Sequence, residues 1–326
     1  MSCAAACTRA PTPPTEVITG PPKITCPLPF SAQSRDGLTV AVAYPQATVV
    51  GGRAPVSTLC APASAASFPV GATVVTCTAT DAQSRSDVCT FTVNVQPPPR
   101  IRTTRFVVFG DSMSDGVLGF APSALGDAGP PVGYAFKLRA LLVDRYTAQT
   151  FSVTDEGVGG ETVVRWSPIQ RSVGVERLPG VLNRDAPEVL LVLEGVNDLN
   201  GGDDATLAAM VSGLRSMVRL ATGRGIVVFL GTLLPQRPGG FRAFSPGAIV
   251  PANNQIRGIA LAEGAVLVDL YQTFAGQTDT LIGPDGLHPN DAGYQKMAET
   301  FFTAIRARFE VPPIAPTFQP LFSPPK

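Results

Sequence analysis

Two patterns of apolar spacing divide the chain. Across 37–95, apolar and polar residues alternate in short runs bounded by turn residues: GLTVAVAYP (37–45), APVSTLCAP (54–62), GATVVTCTATD (71–81) and DVCTFTVNV (87–95). Period-two alternation puts every second side chain on one face of a strand, and Val and Thr suit a half-buried pleated surface. No helical spacing interrupts it, so a small antiparallel β-sandwich is expected. Further on, RFVVFG (105–110), VLLVLEG (189–195), IVVFLG (226–231) and AVLVDL (265–270) are near-continuous apolar runs, as strands covered on both faces require. Between and after them the period becomes helical. Leu207, Met210, Val211, Leu214, Met217 and Val218 recur at three- and four-residue steps, as do Tyr294, Met297, Ala298, Phe301, Phe302 and Ile305. These stripes are core faces. Strands alternating with helices predict an α/β fold with a parallel sheet covered by helices on both faces, whose sites gather at the carboxyl ends of the strands.

Proline punctuates the two patterns. APTPPTEVITGPP (10–22), QPPPR (96–100) and VPPIAPTFQPLFSPPK (311–326) read as extended spacers. The expected division is a Pro-rich leader at 1–21, a β-sandwich at 22–98, a linker at 99–104, an α/β domain at 105–311 and a Pro-rich tail at 312–326.

Composition narrows the partners. The 25 Lys and Arg balance 25 Asp and Glu, which gives no electrostatic reason to expect nucleic acid or an anionic membrane surface. No apolar run approaches the ~20 residues of a transmembrane helix. All six cysteines (Cys3, Cys7, Cys26, Cys60, Cys77 and Cys89) precede residue 90, with no CxxC spacing and a single histidine far away. That distribution reads as disulfides in an oxidising compartment: secreted, periplasmic or cell-surface. MSCAAAC lacks the charged and apolar regions of an export signal, so a removed signal is expected before it; alternatively, AAAC ending at Cys7 is the remnant of a lipid-anchor site.

Four polar loops follow the apolar strands: GDSMSDG (110–116), SVTDEGVGGET (152–162), GVND (195–198) and DGLHPN (285–290). A serine hydroxyl is a poor nucleophile unless a base takes its proton, and histidine suits that task near neutral pH. Ser112 and His288, the one histidine, are therefore paired here, with Asp285 three residues earlier to fix the imidazole tautomer. An oxyanion needs donors, and the N–H of Ser112, the N–H of Gly160 and the side-chain amide of Asn197 are the candidates. Asp111 and Asp198 are expected to hydrogen-bond within their own loops. Taken singly each motif is weak: GDS is common in turns, and Gly157, Gly159 and Gly160 serve backbone geometry alone just as well. Their joint placement at strand ends is the stronger signal. A GxSxG elbow, a Walker A loop and GxGxxG are all absent, and HExxH is impossible with one histidine.

The set resembles the SGNH hydrolases, the GDSL esterase and lipase family, over about 105–308. The resemblance implies a flavodoxin-like three-layer α/β/α sandwich, with Ser112 as nucleophile, Gly160 and Asn197 in the oxyanion hole, His288 as base and Asp285 behind it. It implies no metal and no cofactor. Met113 stands where Leu is usual, and Asp155 and Gly159 where Asn and Ser are frequent; none is a catalytic group, so these departures bear on substrate preference. In the first block, ITCP (24–27), SFPVGATVVTCTATDAQS (67–84) and CTFTVNV (89–95) resemble the hyalin-repeat (HYR) module, an immunoglobulin-like domain that acts as a spacer or binding element. Of the three pairings open to its four cysteines, an immunoglobulin-like topology with first and last strands parallel neighbours favours Cys26 with Cys89 and Cys60 with Cys77. The function expected is an exported serine carboxylester hydrolase for short- to medium-chain acyl esters. The alternatives are a glycan O-acetyl esterase whose sandwich contacts polysaccharide or a surface, and a catalytically silent adhesion protein.

Overall fold

Eight strands precede the central proline run: β1 (Lys23–Thr25), β2 (Phe30–Gln33), β3 (Val40–Ala41), β4 (Thr48–Val50), β5 (Ser57–Ala61), β6 (Ser67–Phe68), β7 (Gly71–Thr80) and β8 (Ser86–Gln96). They are seen in a computed structural model that describes residues 20–119, 133–200 and 203–311. Cys3, Cys7, the leader up to residue 19 and the tail at 312–326 lie outside the described residues. The chain divides into two compact units at Pro98 and Pro99.

In the first unit β2, β8, β7 and β5 form one sheet in that order, while β1 pairs with β4 and β3 with β6. The predicted alternation is realised: Val75, Cys77 and Ala79 of β7 and Phe91, Val93 and Val95 of β8 point inward, onto Ile24, Val42, Tyr44 and Phe68. Disulfides join Cys26 to Cys89 and Cys60 to Cys77. The route to the first bridge differs from the expected one. The parallel neighbour of β8 is β2, while β1 runs antiparallel to β4 and Cys26 lies just beyond its end. Cys77 stands in register with both Cys60 on β5 and Cys89 on β8. GLTVAVAYP keeps only a two-residue strand. Past it the backbone turns to a neighbouring turn, with Val42 N–H donating to Ala66 O and Tyr44 N–H to Ser64 Oγ.

The second unit comprises β9 (Arg100–Ile101), β10 (Arg105–Gly110), α1 (Ser112–Asp115), α2 (Tyr134–Arg145), β11 (Ser152–Gly157), α3 (Gly174–Asp185), β12 (Val189–Leu193), α4 (Asp204–Thr222), β13 (Val227–Gly231), α5 (Pro246–Glu263), β14 (Val266–Val268), α6 (Leu270–Phe274), α7 (Thr278–Leu281), α8 (Asp291–Phe309) and β15 (Glu310–Val311). Five strands form one parallel sheet in the order β11-β10-β12-β13-β14. Every residue of β12 is buried. Since successive side chains point to opposite faces, both faces are covered, which is the three-layer α/β/α arrangement. The helix stripes lie where the period placed them: Met210, Leu214, Met217 and Val218 of α4 and Tyr294, Met297, Ala298, Phe301 and Ile305 of α8 are buried, with Leu207, Val211 and Phe302 packed at the margin. Part of the expected 99–104 linker is structured, because β9 pairs antiparallel with β15 and Ile101 exchanges backbone hydrogen bonds with the Gln149 side chain.

The order is that of a doubly wound sheet, with β10 flanked by β11 on one side and β12 on the other. The chain leaves β10 in one direction and later crosses to the other, so the loops after β10 and β12 diverge. The crevice at such a switch point is where these sheets bind ligands.

Candidate active site

The turn out of β10 is set by Gly110, whose φ of +155° lies where side chains are disfavoured. A Cβ there would meet Leu193 O of β12 at 1.9 Å. Asp111 then caps α1, its Oδ1 accepting from Met113 N–H at 2.9 Å, and Ser112 is the first helical residue. Its N–H has no protein acceptor among the described residues, as expected at the first turn of a helix.

DGLHPN is a tight turn in which each polar residue has a partner. Asp285 Oδ1 accepts the N–H groups of Leu287 and His288, both at 3.0 Å, which folds the carboxylate back under the imidazole. The His288 Nδ1–H donates to Asp285 Oδ2 at 2.5 Å, and the Ser112 hydroxyl donates to Nε2 at 2.8 Å. Asn290 caps α8 by accepting from Gly293 N–H. Burial would raise Asp285, but the hydrogen bonds from the His288 ring and from the Leu287 and His288 backbone outweigh it and hold the carboxyl below the usual range. It stays ionised and fixes Nδ1 as the protonated nitrogen, leaving Nε2 to accept. Two short helices, α6 and α7, separate this turn from β14, where a direct strand-to-loop passage had been expected.

Gly160 lies in the SVTDEGVGGET loop at φ +77°, its N–H without an acceptor among the described residues. Asn197 donates one Nδ2 hydrogen to Glu161 O at 2.8 Å, and the other has no acceptor among the described residues. Ser112, Gly160, Asn197 and His288 line a single cleft of about 370 Å³, completed by Val117, Gly159, Phe241, Arg242, Phe244 and Leu287. The sequence reading missed this apolar and aromatic rim. Its signal was two phenylalanines in FRAF (241–244), in the long connection between β13 and α5, where solvent-facing aromatics are otherwise unexplained.

Residues 108–296, more than half of the 326, match the GDSL-like Lipase/Acylhydrolase family. The chain belongs to that family. It is accordingly a hydrolase of ester bonds. Residues 17–95 match the HYR domain. No curated protein matches. Among solved structures, the lipase/acylhydrolase from Enterococcus faecalis is 22% identical over 63% of this chain and 97% of its own, with a TM-score of 0.52. A carbohydrate acetylesterase from Sinorhizobium meliloti is 18% identical over 63% and 100%, with a TM-score of 0.53. At these identities the likeness is one of fold. Among the described residues of this GDSL-family hydrolase, no helix is long and apolar enough to cross a membrane.

Beneath the cleft lies a set of buried acids. Asp198, expected to hydrogen-bond within its own loop, instead reaches across to 163–166, accepting from Val163 N–H, Val164 N–H and the Trp166 indole. Burial raises its pKa. Asp111 is pushed up to about 7, by burial first and then by Asp198 and Glu161, against the hydrogen bond from Met113. Glu194, just past β12, is buried with neither carboxyl oxygen hydrogen-bonded among the described residues. Burial, reinforced by Glu161, Asp111 and Asp198, raises it well above the glutamate range, so it keeps its proton.

Proposed function

We propose that the protein is an exported serine esterase in which Ser112, His288 and Asp285 form a catalytic triad and Ser112 N–H, Gly160 N–H and Asn197 form the oxyanion hole. The observation that carries this reading is the hydrogen-bonded chain from Ser112 Oγ through His288 to an ionised Asp285, open to a cleft at the sheet's switch point. In it, Ser112 Oγ attacks the acyl carbon while His288 Nε2 takes the hydroxyl proton. The carbonyl oxygen becomes an oxyanion, met by the three donors. On collapse His288 returns the proton to the departing alkoxide, the alcohol leaves, and the acyl group stays on Ser112. Water, deprotonated by His288, then attacks the acyl carbon; the bond from the acyl carbon to Ser112 Oγ breaks, His288 returns the proton to Oγ, and the acid leaves. Acyl groups of short to medium length fit a cleft of about 370 Å³ with Val117 and Leu287 in its wall. The two disulfides support an oxidising, extracytoplasmic location.

A glycan O-acetyl esterase is the second reading, favoured by Phe241 and Phe244 on the cleft rim, about half-exposed, whose ring faces suit sugar stacking. The structural likeness to a carbohydrate acetylesterase accords with it. Turnover of nitrophenyl esters from acetate to palmitate, measured beside acetate release from acetylated xylan, tests both. Preference for the xylan establishes the second reading. Ester turnover that survives Ser112→Ala undoes the triad, and failure of the parent protein to label with a fluorophosphonate probe would favour a silent adhesion protein.

A further inference from the structure

Two of the three donors assigned above to the oxyanion hole, the Gly160 N–H and the Asn197 amide, hang on residue 161. Glu161 O accepts the Asn197 amide, and Glu161 N–H closes the turn 158–161 by donating to Val158 O at 3.0 Å. The turn itself contains Gly159 and Gly160 and follows directly on Gly157, so its backbone has little intrinsic preference for one shape. Something outside the turn must hold it.

The carboxylate of Glu161 is wholly buried and gripped at both oxygens by Arg177 of α3, with Nε at 2.7 Å from Oε2 and Nη2 at 2.5 Å from Oε1, while the Ser172 hydroxyl also donates to Oε2. Arg177 reaches the other end of the turn as well: Nη2 donates to Glu156 O at 2.8 Å and Nη1 to Glu156 Oε2 at 3.3 Å. Its guanidinium lies 4.1 Å from the centroid of the Phe109 ring, on the strand that delivers Ser112. One planar cation thus ties the entrance of the glycine turn, its exit and the end of β10. The fork geometry that allows this is peculiar to arginine.

The geometry points to Glu161 and Arg177 as positioning residues for catalysis: the buried pair fixes where the Gly160 N–H and the Asn197 amide stand relative to Ser112, without touching substrate. This rests on the oxyanion-hole assignment made above. Displacing a group by about 1 Å can cost on the order of 100-fold in rate with little change in binding.

A double-mutant cycle tests it, with kcat and KM read on nitrophenyl acetate for Arg177→Met, Asn197→Ala and their combination. Arg177→Met is expected to lower kcat by about 10- to 100-fold with KM within about threefold, and to cost far less when Asn197 is already Ala. Arg177→Lys should restore only part of the rate, since an ammonium cannot bridge all four acceptors. Because Arg177→Met strands a buried carboxylate, Glu161→Gln/Arg177→Met, which removes both charges, is measured alongside and is expected to show the same loss in kcat. Folded variants with parental kcat, or losses that multiply with that of Asn197→Ala, overturn the positioning role. If Asn197→Ala itself leaves kcat unchanged, the oxyanion-hole assignment falls and the inference falls with it. The two failures are separated by which single variant is silent.

Discussion

At the scale of single residues, Ser112 and His288 share one hydrogen bond and, in the proposed mechanism, one proton transfer. Replacing either by Ala is expected to lower kcat by about 10³- to 10⁶-fold, and replacing both should be scarcely worse, because the two act as a unit. Losses that multiplied would separate their roles. Ser112, Gly160, Asn197, Asp285 and His288 were legible as candidates because each sits in a short polar motif, three of them just past a strand and DGLHPN beyond α6 and α7, and the structure brings four of them to one cleft with Asp285 behind His288. Glu161, Arg177 and Glu194 were not, since their meaning depends on neighbours far along the chain. Glu194 makes a second prediction. Unfolded, it ionises near the ordinary glutamate value; folded, it keeps its proton to higher pH. Folding therefore takes up a proton between the two values, and stability falls as pH rises through that window, by up to about 1.4 kcal/mol per pH unit. Glu194→Gln abolishes this titration. The stability of the variant relative to the parent is expected to rise steadily as pH increases above the ordinary glutamate range, as followed by urea midpoints. A constant gap would mean that the carboxyl ionises normally in the folded protein.

Among the elements, those with an uninterrupted period were legible: β10, β12 and β13 fall within a residue or two of their apolar runs, and α4 and α8 bury the predicted stripes. Elements whose local signals conflict were not. α5 begins with Pro246 and contains Pro251, so SPGAIVP reads as a breaker, yet Ile249, Ala252, Ile256 and Ile259 bury against the core and hold the helix. β9 and β15 are two residues each and exist only as a pair across nearly the whole unit, which no local pattern records. The join between β10 and α1 allows a sharp test. At Gly110 positive φ and a 1.9 Å approach to a β12 carbonyl coincide, so no rotamer relieves an added methyl. Gly110→Ala is expected to cost more than about 2 kcal/mol and to lower esterase activity as well, since relief requires β10 and β12 to part beside Ser112. Melting temperature and kcat measured together would show it; parental values for both would mean that the turn adapts.

For the molecule as a whole, the two units are stabilised by different means. The hydrolase unit contains no cysteine and has a core of several dozen buried side chains drawn from five strands and their helices. The sandwich is small, its core built on ten buried residues, of which Cys77 is one, and domains of that size usually need covalent help. Its bridges close loops of 63 and 17 residues, and loop-closure entropy assigns them about 4 and about 3 kcal/mol respectively. Together these match or exceed the few kcal/mol by which a small core alone is stable. Reduction is therefore expected to melt the sandwich, seen as loss of its protection against proteolysis between 20 and 98, while esterase kcat is retained. The proposed triad and oxyanion donors all lie beyond residue 110, on a unit without cysteine and so without a disulfide to reduce. Activity lost in dithiothreitol in step with cleavage of the sandwich would show that the first unit holds the second in its active form; activity that outlasts the cleavage means that each unit folds on its own core.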